Sequence, residues 1–152
     1  MIKNIFETEV ANEIVDRINK LKPTDKQHWG KMSVDQMLTH CNIAYKYTFE
    51  PAQFKKPGTL KKFFLKKFVK KLVVGEKPYP RNGRTAPDFI IVGDQDFEKE
   101  KAELIENVIK AQNLGTTYFE GKENHSFGSM TAQEWNNLFY KHLDHHLTQF
   151  GV

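Results

Sequence analysis

The sequence holds a single cysteine, Cys41, which excludes a disulfide within the chain and fits a reducing compartment. It also lacks any apolar run approaching the roughly 18 residues of a membrane span. The opening residues, MIKNIFETEVANEIV, alternate charged and apolar side chains and do not read as a signal peptide, so the expected location is the cytoplasm. Glycine and proline are few, 9 and 6 among 152 residues, and 39% of the chain is hydrophobic. That is the composition of one ordinary globular domain, here spanning 1–152. Acid is missing from one stretch: residues 61–71 contain six lysines and no carboxylate, and removing those six charges from the net +4 leaves −2. The basic balance therefore belongs to a segment rather than to the protein. With no nucleic-acid motif beside it, no nucleic-acid partner is expected.

Helical periodicity dominates what is present. Val10, Ile14, Ile18 and Leu21 mark a helix over about Thr8–Lys22, closed by Pro23. Ser33-Val-Asp-Gln36 is a capping box opening a second helix that runs to about Phe49, before Pro51. A lysine-rich helix over about Leu60–Val74 is followed by a long loop, 75–96, in which Phe89–Val92 suggests a short extended piece. A fourth helix spans about Asp96–Asn113, with Gly115 as its stop, and a second capping box, Thr131-Ala-Gln-Glu134, opens a fifth that runs to about Phe150. These stretches predict an all-α four-helix bundle. The lysine-rich helix and its loop, about 55–96, form an insertion between the second and third bundle helices.

The last helix carries the strongest chemical signal, His142-Leu-Asp-His145-His146. At about 100° per residue His142 and His146 lie roughly 40° apart, with Cβ atoms about 5–6 Å apart. Both fall inside the apolar arc of Trp135, Phe139, Leu143 and Phe150, while His145 falls at its edge. Two imidazoles aimed into a core need partners, and a shared metal satisfies one nitrogen of each. The competing reading is that they bond ordinary core groups. On the second helix His40 lies opposite the polar cluster Asp35, Thr39, Asn42 and Lys46. Alone, it reads as a satisfied core histidine; with His142 and His146 it completes a three-ligand set of the kind that open metal sites use. Such a set suits zinc, nickel, copper and iron to differing degrees.

Several residues are secondary candidates near the site. His125 sits in a short segment carried toward the bundle mouth, and His145 flanks the ligands. Gln149, one turn beyond His145, is placed to orient it, and Tyr47 reads as a rim aromatic. Cys41 reads as packing.

Trp29-Gly30-Lys31-Met32 leading through Gln36-Met37 to His40, and His125-Ser-Phe-Gly128 leading through Trp135 to His142, His146 and Gln149, resemble the DinB/YfiT-like superfamily of metal-dependent proteins. The resemblance covers nearly the whole chain apart from the lysine-rich insertion. It implies a four-helix bundle holding a divalent metal, often zinc or nickel, on the residues matching His40, His142 and His146. It also implies a small-molecule substrate and frequent homodimers. Relatives of that kind include transferases and an isomerase that use a low-molecular-weight thiol, which a metal holds as thiolate; water activation for hydrolysis is the other chemistry such a site supports. A metal-binding or metal-free bundle without catalysis remains the alternative.

The basic helix itself has one side of Phe64, Phe68, Leu72, Leu65 and Val69 and another of Lys62, Lys66, Lys67 and Lys70, with Lys61 and Phe63 breaking the pattern. It reads as a helix laid over the bundle with a solvated lysine face. The other readings are a membrane-surface helix and a lure for an anionic substrate, helped by Arg81 and Arg84.

Overall fold

The computed structural model describes residues 1–152, and the chain is mostly helical. Helix α1 spans Thr8–Lys20, α2 Val34–Phe49, α3 Thr59–Phe64, α4 Lys70–Val74, α5 Phe97–Phe119 and α6 Ala132–Gln149. The capping boxes sit where the sequence puts them. The Gln36 side chain accepts from the Ser33 N–H at 3.2 Å, and Thr131 and Glu134 exchange bonds of 3.0 and 3.2 Å. Each satisfies N–H groups that a helix start leaves without partners.

Several details differ from expectation, beyond α1 ending at Lys20. Gly115 does not end its helix; with φ 67° it breaks α5, which continues to Phe119 beyond the kink. A left-handed backbone costs glycine little, so it can serve as a kink as well as a stop. The expected extended piece at Phe89–Val92 does not form a strand: Pro87–Phe89 is a 3₁₀ turn. The only strands are a two-residue antiparallel pair, Glu123–Asn124 (β1) with Gly128–Ser129 (β2), unforeseen because so short a hairpin carries no alternation.

Helices α1, α2, α5 and α6 pack against one another around a single core. Ile14, Ile18, Met37, Leu38, Leu104, Val108, Phe119, Trp135 and Phe139 are almost wholly shielded from water. The Tyr45 ring stacks on Phe139 at 4.7 Å, and Phe119 packs on both Trp135 and Phe139 at 5.5 Å. Asn42, grouped with polar positions by the helical wheel, is fully buried between α2 and α5. Its amide donates at 2.9 Å to both the backbone and the carboxylate of Glu100 and accepts from Asn107. Buried polar groups are tolerated when so paired. No helix is long and apolar enough to cross a membrane.

Segment 59–74 is one nearly continuous helix, α3 joined to α4 through a π-helical turn, Leu65–Val69. Leu65, Val73 and Val74 face the core. Its end is tied to α6 by Asn137, which donates to the Val74 carbonyl at 2.8 Å, and by Lys141, whose ammonium donates to the Leu72, Val73 and Gly75 carbonyls. Those carbonyls are the ones a helix end leaves unpaired. The expected apolar side is split by the π turn, and Phe64, Phe68 and Leu72 are exposed rather than laid on the core.

Candidate metal centre

Helix α2 presents His40 to His142 and His146 on α6. The three rings gather with centroids 4.6–4.9 Å apart. One ligand-type nitrogen from each falls within 4.8 Å of the others. His40 and His146 are buried and His142 is partly exposed.

The hydrogen bonds around the rings fix which nitrogen is free. His40 Nδ1 lies 2.9 Å from the Phe89 carbonyl, which can only accept, so Nδ1 carries the proton and Nε2 bears the lone pair. For His146 the argument takes one more link. The Gln149 amide nitrogen donates to the Trp29 carbonyl at 2.6 Å, which turns Gln149 Oε1 toward His146 Nδ1 at 2.8 Å. That oxygen only accepts, so His146 also keeps its proton on Nδ1 and frees Nε2. His40 Nε2 and His142 Nε2 face each other at 2.8 Å. Either His142 Nε2–H donates to the His40 Nε2 lone pair or a cation lies between the two nitrogens. The donor set therefore fits a divalent ion: three neutral imidazoles, two with their second nitrogen already engaged, as metal-binding histidines commonly are.

Electrostatics agree with the neutral forms. Burial, opposed by the Phe89 carbonyl, holds His40 below its ordinary value. Burial first, then the neighbouring His40, His146 and His145, holds His142 well below it. Burial and then His40 push His146 down to about 3, against the raising effect of Gln149. The sign of the stability effect follows. Above the ordinary histidine value of 6.5 both folded and unfolded chains are neutral at these sites. As pH falls from there toward about 3, the unfolded chain takes up protons that the folded one cannot. The urea midpoint of metal-free protein is thus expected to fall between pH 7.5 and 5, and to fall less in His146→Gln; equal pH dependence of the two proteins would contradict this account.

The secondary candidates divide. His145 lies beside the three, its ring 5.0 Å from His146 and edge-on to Trp29 and Tyr79 at 5.7 Å. Gln149 bonds His146 rather than His145, because three residues along the helix bring its amide over the His146 ring. His125 is not brought to the cluster. The β1–β2 turn carries it to the 55–58 segment, where Nε2 meets the Lys55 carbonyl at 3.1 Å and its ring abuts Tyr47. Tyr47 donates to Asp88 at 2.8 Å and stacks on Phe54 and Phe89, so it reaches His40 only through Phe89. Cys41 is buried beside Met37, and burial pushes its thiol up, away from reactivity.

The sequence reading missed the groups that orient the ligands. Phe89 and Trp29 act through backbone carbonyls, which carry no residue-type signature. Gly30, with φ +85°, sits so close that a Cβ there would meet the Gln149 amide nitrogen at 2.5 Å. Trp29-Gly30 was visible as a motif, but its partner was not. A cavity of about 300 Å³ reaches His145 but none of the three clustered histidines; Trp29, Tyr79, Arg81 and Lys141 also line it, with the Arg81 guanidinium 4.3 Å above the Trp29 ring. A second cavity, about 250 Å³, lies away from the histidines against Phe6 and Thr116.

A family model described as "Protein of unknown function (DUF1569)" matches residues 3–151. No curated protein and no solved structure matches the chain.

Proposed function

We propose a function for a chain that belongs to the family of proteins of unknown function DUF1569: a metal-dependent enzyme that activates a small nucleophile on His40, His142 and His146. In this reading α1, α2, α5 and α6 are a four-helix bundle of the DinB-like kind, and segment 55–96 is an insertion that reaches over the site through Tyr79, Arg81 and Phe89. The single carrying observation is the convergence of three neutral imidazoles, two of them with Nδ1–H committed to the Phe89 carbonyl and the Gln149 amide.

The ion we favour is zinc or nickel, both well served by imidazole. A divalent ion on a neutral three-histidine set keeps its full positive charge, which favours an anionic fourth ligand and so lowers the pKa of a thiol or water held there. We favour a low-molecular-weight thiol over water, because a thiolate is itself the nucleophile and needs no carboxylate base from the protein. Tyr79, Trp29 and His145 line the adjoining cavity, where a small-molecule acceptor would sit, and Arg81 supplies positive charge at its wall. Hydrolysis of a small substrate is the second reading, with His145 as the imidazole beside the cluster. The lone buried cysteine supports a cytoplasmic setting.

The test is a thiol panel. Protein loaded with zinc or nickel is offered low-molecular-weight thiols with an electrophilic acceptor, and thiol consumption is compared with that of the metal-free chain. Metal-dependent consumption of at least one thiol is expected. Tight metal binding with neither thiol transfer nor hydrolysis would leave a non-catalytic metal-binding protein instead.

A further inference from the structure

The 59–74 helix exposes an apolar surface that the fold has no use for. Phe63, Phe64 and Phe68 are each more than half exposed, at 58%, 53% and 60%, and Leu60 and Leu72 are exposed beside them. The three rings form one cluster, Phe63 on Phe64 at 6.1 Å and Phe64 on Phe68 at 5.8 Å. The helix cannot roll to bury them without losing its anchors. Leu65, Val73 and Val74 already face the core. Lys70 pairs with Glu134 at 2.7 Å, and Asn137 and Lys141 hold the carbonyls at its end. Contiguous exposed aromatics of this kind mark a surface that meets something.

Charge selects what that is. Of the six lysines in 61–71, Lys62 has Glu123 at 3.9 Å and Lys70 has Glu134, while Lys61, Lys66, Lys67 and Lys71 have no carboxylate partner. Lys67 holds its ammonium 5.7 Å from the Phe63 ring and 5.6 Å from the Phe68 ring, so positive charge sits within the aromatic cluster. A second copy placed face to face would set these unpaired lysines against their own equivalents. We propose that this face docks on an anionic lipid bilayer, with Phe63, Phe64 and Phe68 entering the headgroup–acyl boundary and the lysines meeting lipid phosphates. Phenylalanine and lysine are the side chains by which interfacial helices combine apolar burial with attraction to anionic lipid. Long lysine stems let the ammonium stay at headgroup level while the neighbouring rings go deeper. The same segment runs directly into the loop that supplies Tyr79 and Phe89. The proposal does not depend on the metal reading.

The test is co-sedimentation of the full chain with vesicles of phosphatidylcholine mixed with phosphatidylglycerol, and of phosphatidylcholine alone, at low and high salt. Binding to the mixed vesicles is expected, weakening with salt. Lys66→Gln and Lys67→Gln should each weaken it roughly fivefold. Phe64→Ser with Phe68→Ser should weaken it at least ~10-fold, with an unchanged thermal midpoint because both rings face solvent. Absence of binding to mixed vesicles, or equal binding by the Phe variant, overturns the proposal. So does a concentration-dependent dimer that the Phe variant dissolves, which would make the face a contact between copies. Binding to polyglutamate or duplex DNA as tight as to vesicles, and unaffected by the Phe substitutions, would also overturn it by showing a charge-only surface.

Discussion

Replacing His40, His142 or His146 by alanine is expected to abolish binding of the divalent ion, lowering affinity by more than ~100-fold. Changing a group that merely orients a ligand costs about 10–100-fold, and loss of a ligand from a set of three exceeds that. Elemental analysis and zinc titration of the untagged chain should show about one ion per chain for the native protein. The alanine variants should show almost none. His145→Ala and His125→Ala should keep the ion, since His145 flanks the cluster without entering it and His125 is tied to the Lys55 carbonyl. Removing a buried histidine here also removes a neutral group held against its ordinary protonation, so the metal-free variants should lose less stability than the native chain as pH falls below 6. Loss of the ion in a well-folded variant then separates ligation from stability. Equal metal content in native and His142→Ala protein would end the metal reading.

The second large effect is expected from a residue that touches no metal. Gly30→Ala places a methyl group 2.5 Å from the Gln149 amide nitrogen, at a backbone φ of +85° that alanine adopts poorly. Gln149 must then leave the Trp29 carbonyl, and its Oε1 loses the constraint that aims it at His146 Nδ1. His146 becomes free to turn or to switch tautomer. A drop of about 10–100-fold in metal affinity is expected, matched by Gln149→Leu, which removes the same bond without straining the backbone. Isothermal titration with zinc measures it. If Gly30→Ala lowers the melting temperature while Gln149→Leu leaves affinity intact, Gly30 serves only the turn.

Ser33, Gln36, Thr131 and Glu134 announce two helix starts by residue type alone, because capping is local chemistry between positions three apart. The apolar periodicities of α1, α2 and α6 are equally local. So is the angular placement of His142 and His146, which follows from helix pitch. The π turn at Leu65–Val69 was not legible, and it changed which phenylalanines face water. Nor was the burial of Asn42, whose partner Glu100 lies 58 residues away.

What the sequence determined by itself is therefore the helical elements and the inward facing of three histidines, since both depend only on spacing along one helix. What the tertiary structure decided is that His40 meets His142 and His146, 102 and 106 residues away, and which nitrogens of His40 and His146 are free. Those depend on the Phe89 carbonyl, the Trp29 carbonyl and the space left by Gly30, on loops whose paths are set by packing. A backbone carbonyl is the same in every residue. No reading of side chains alone could have selected these two.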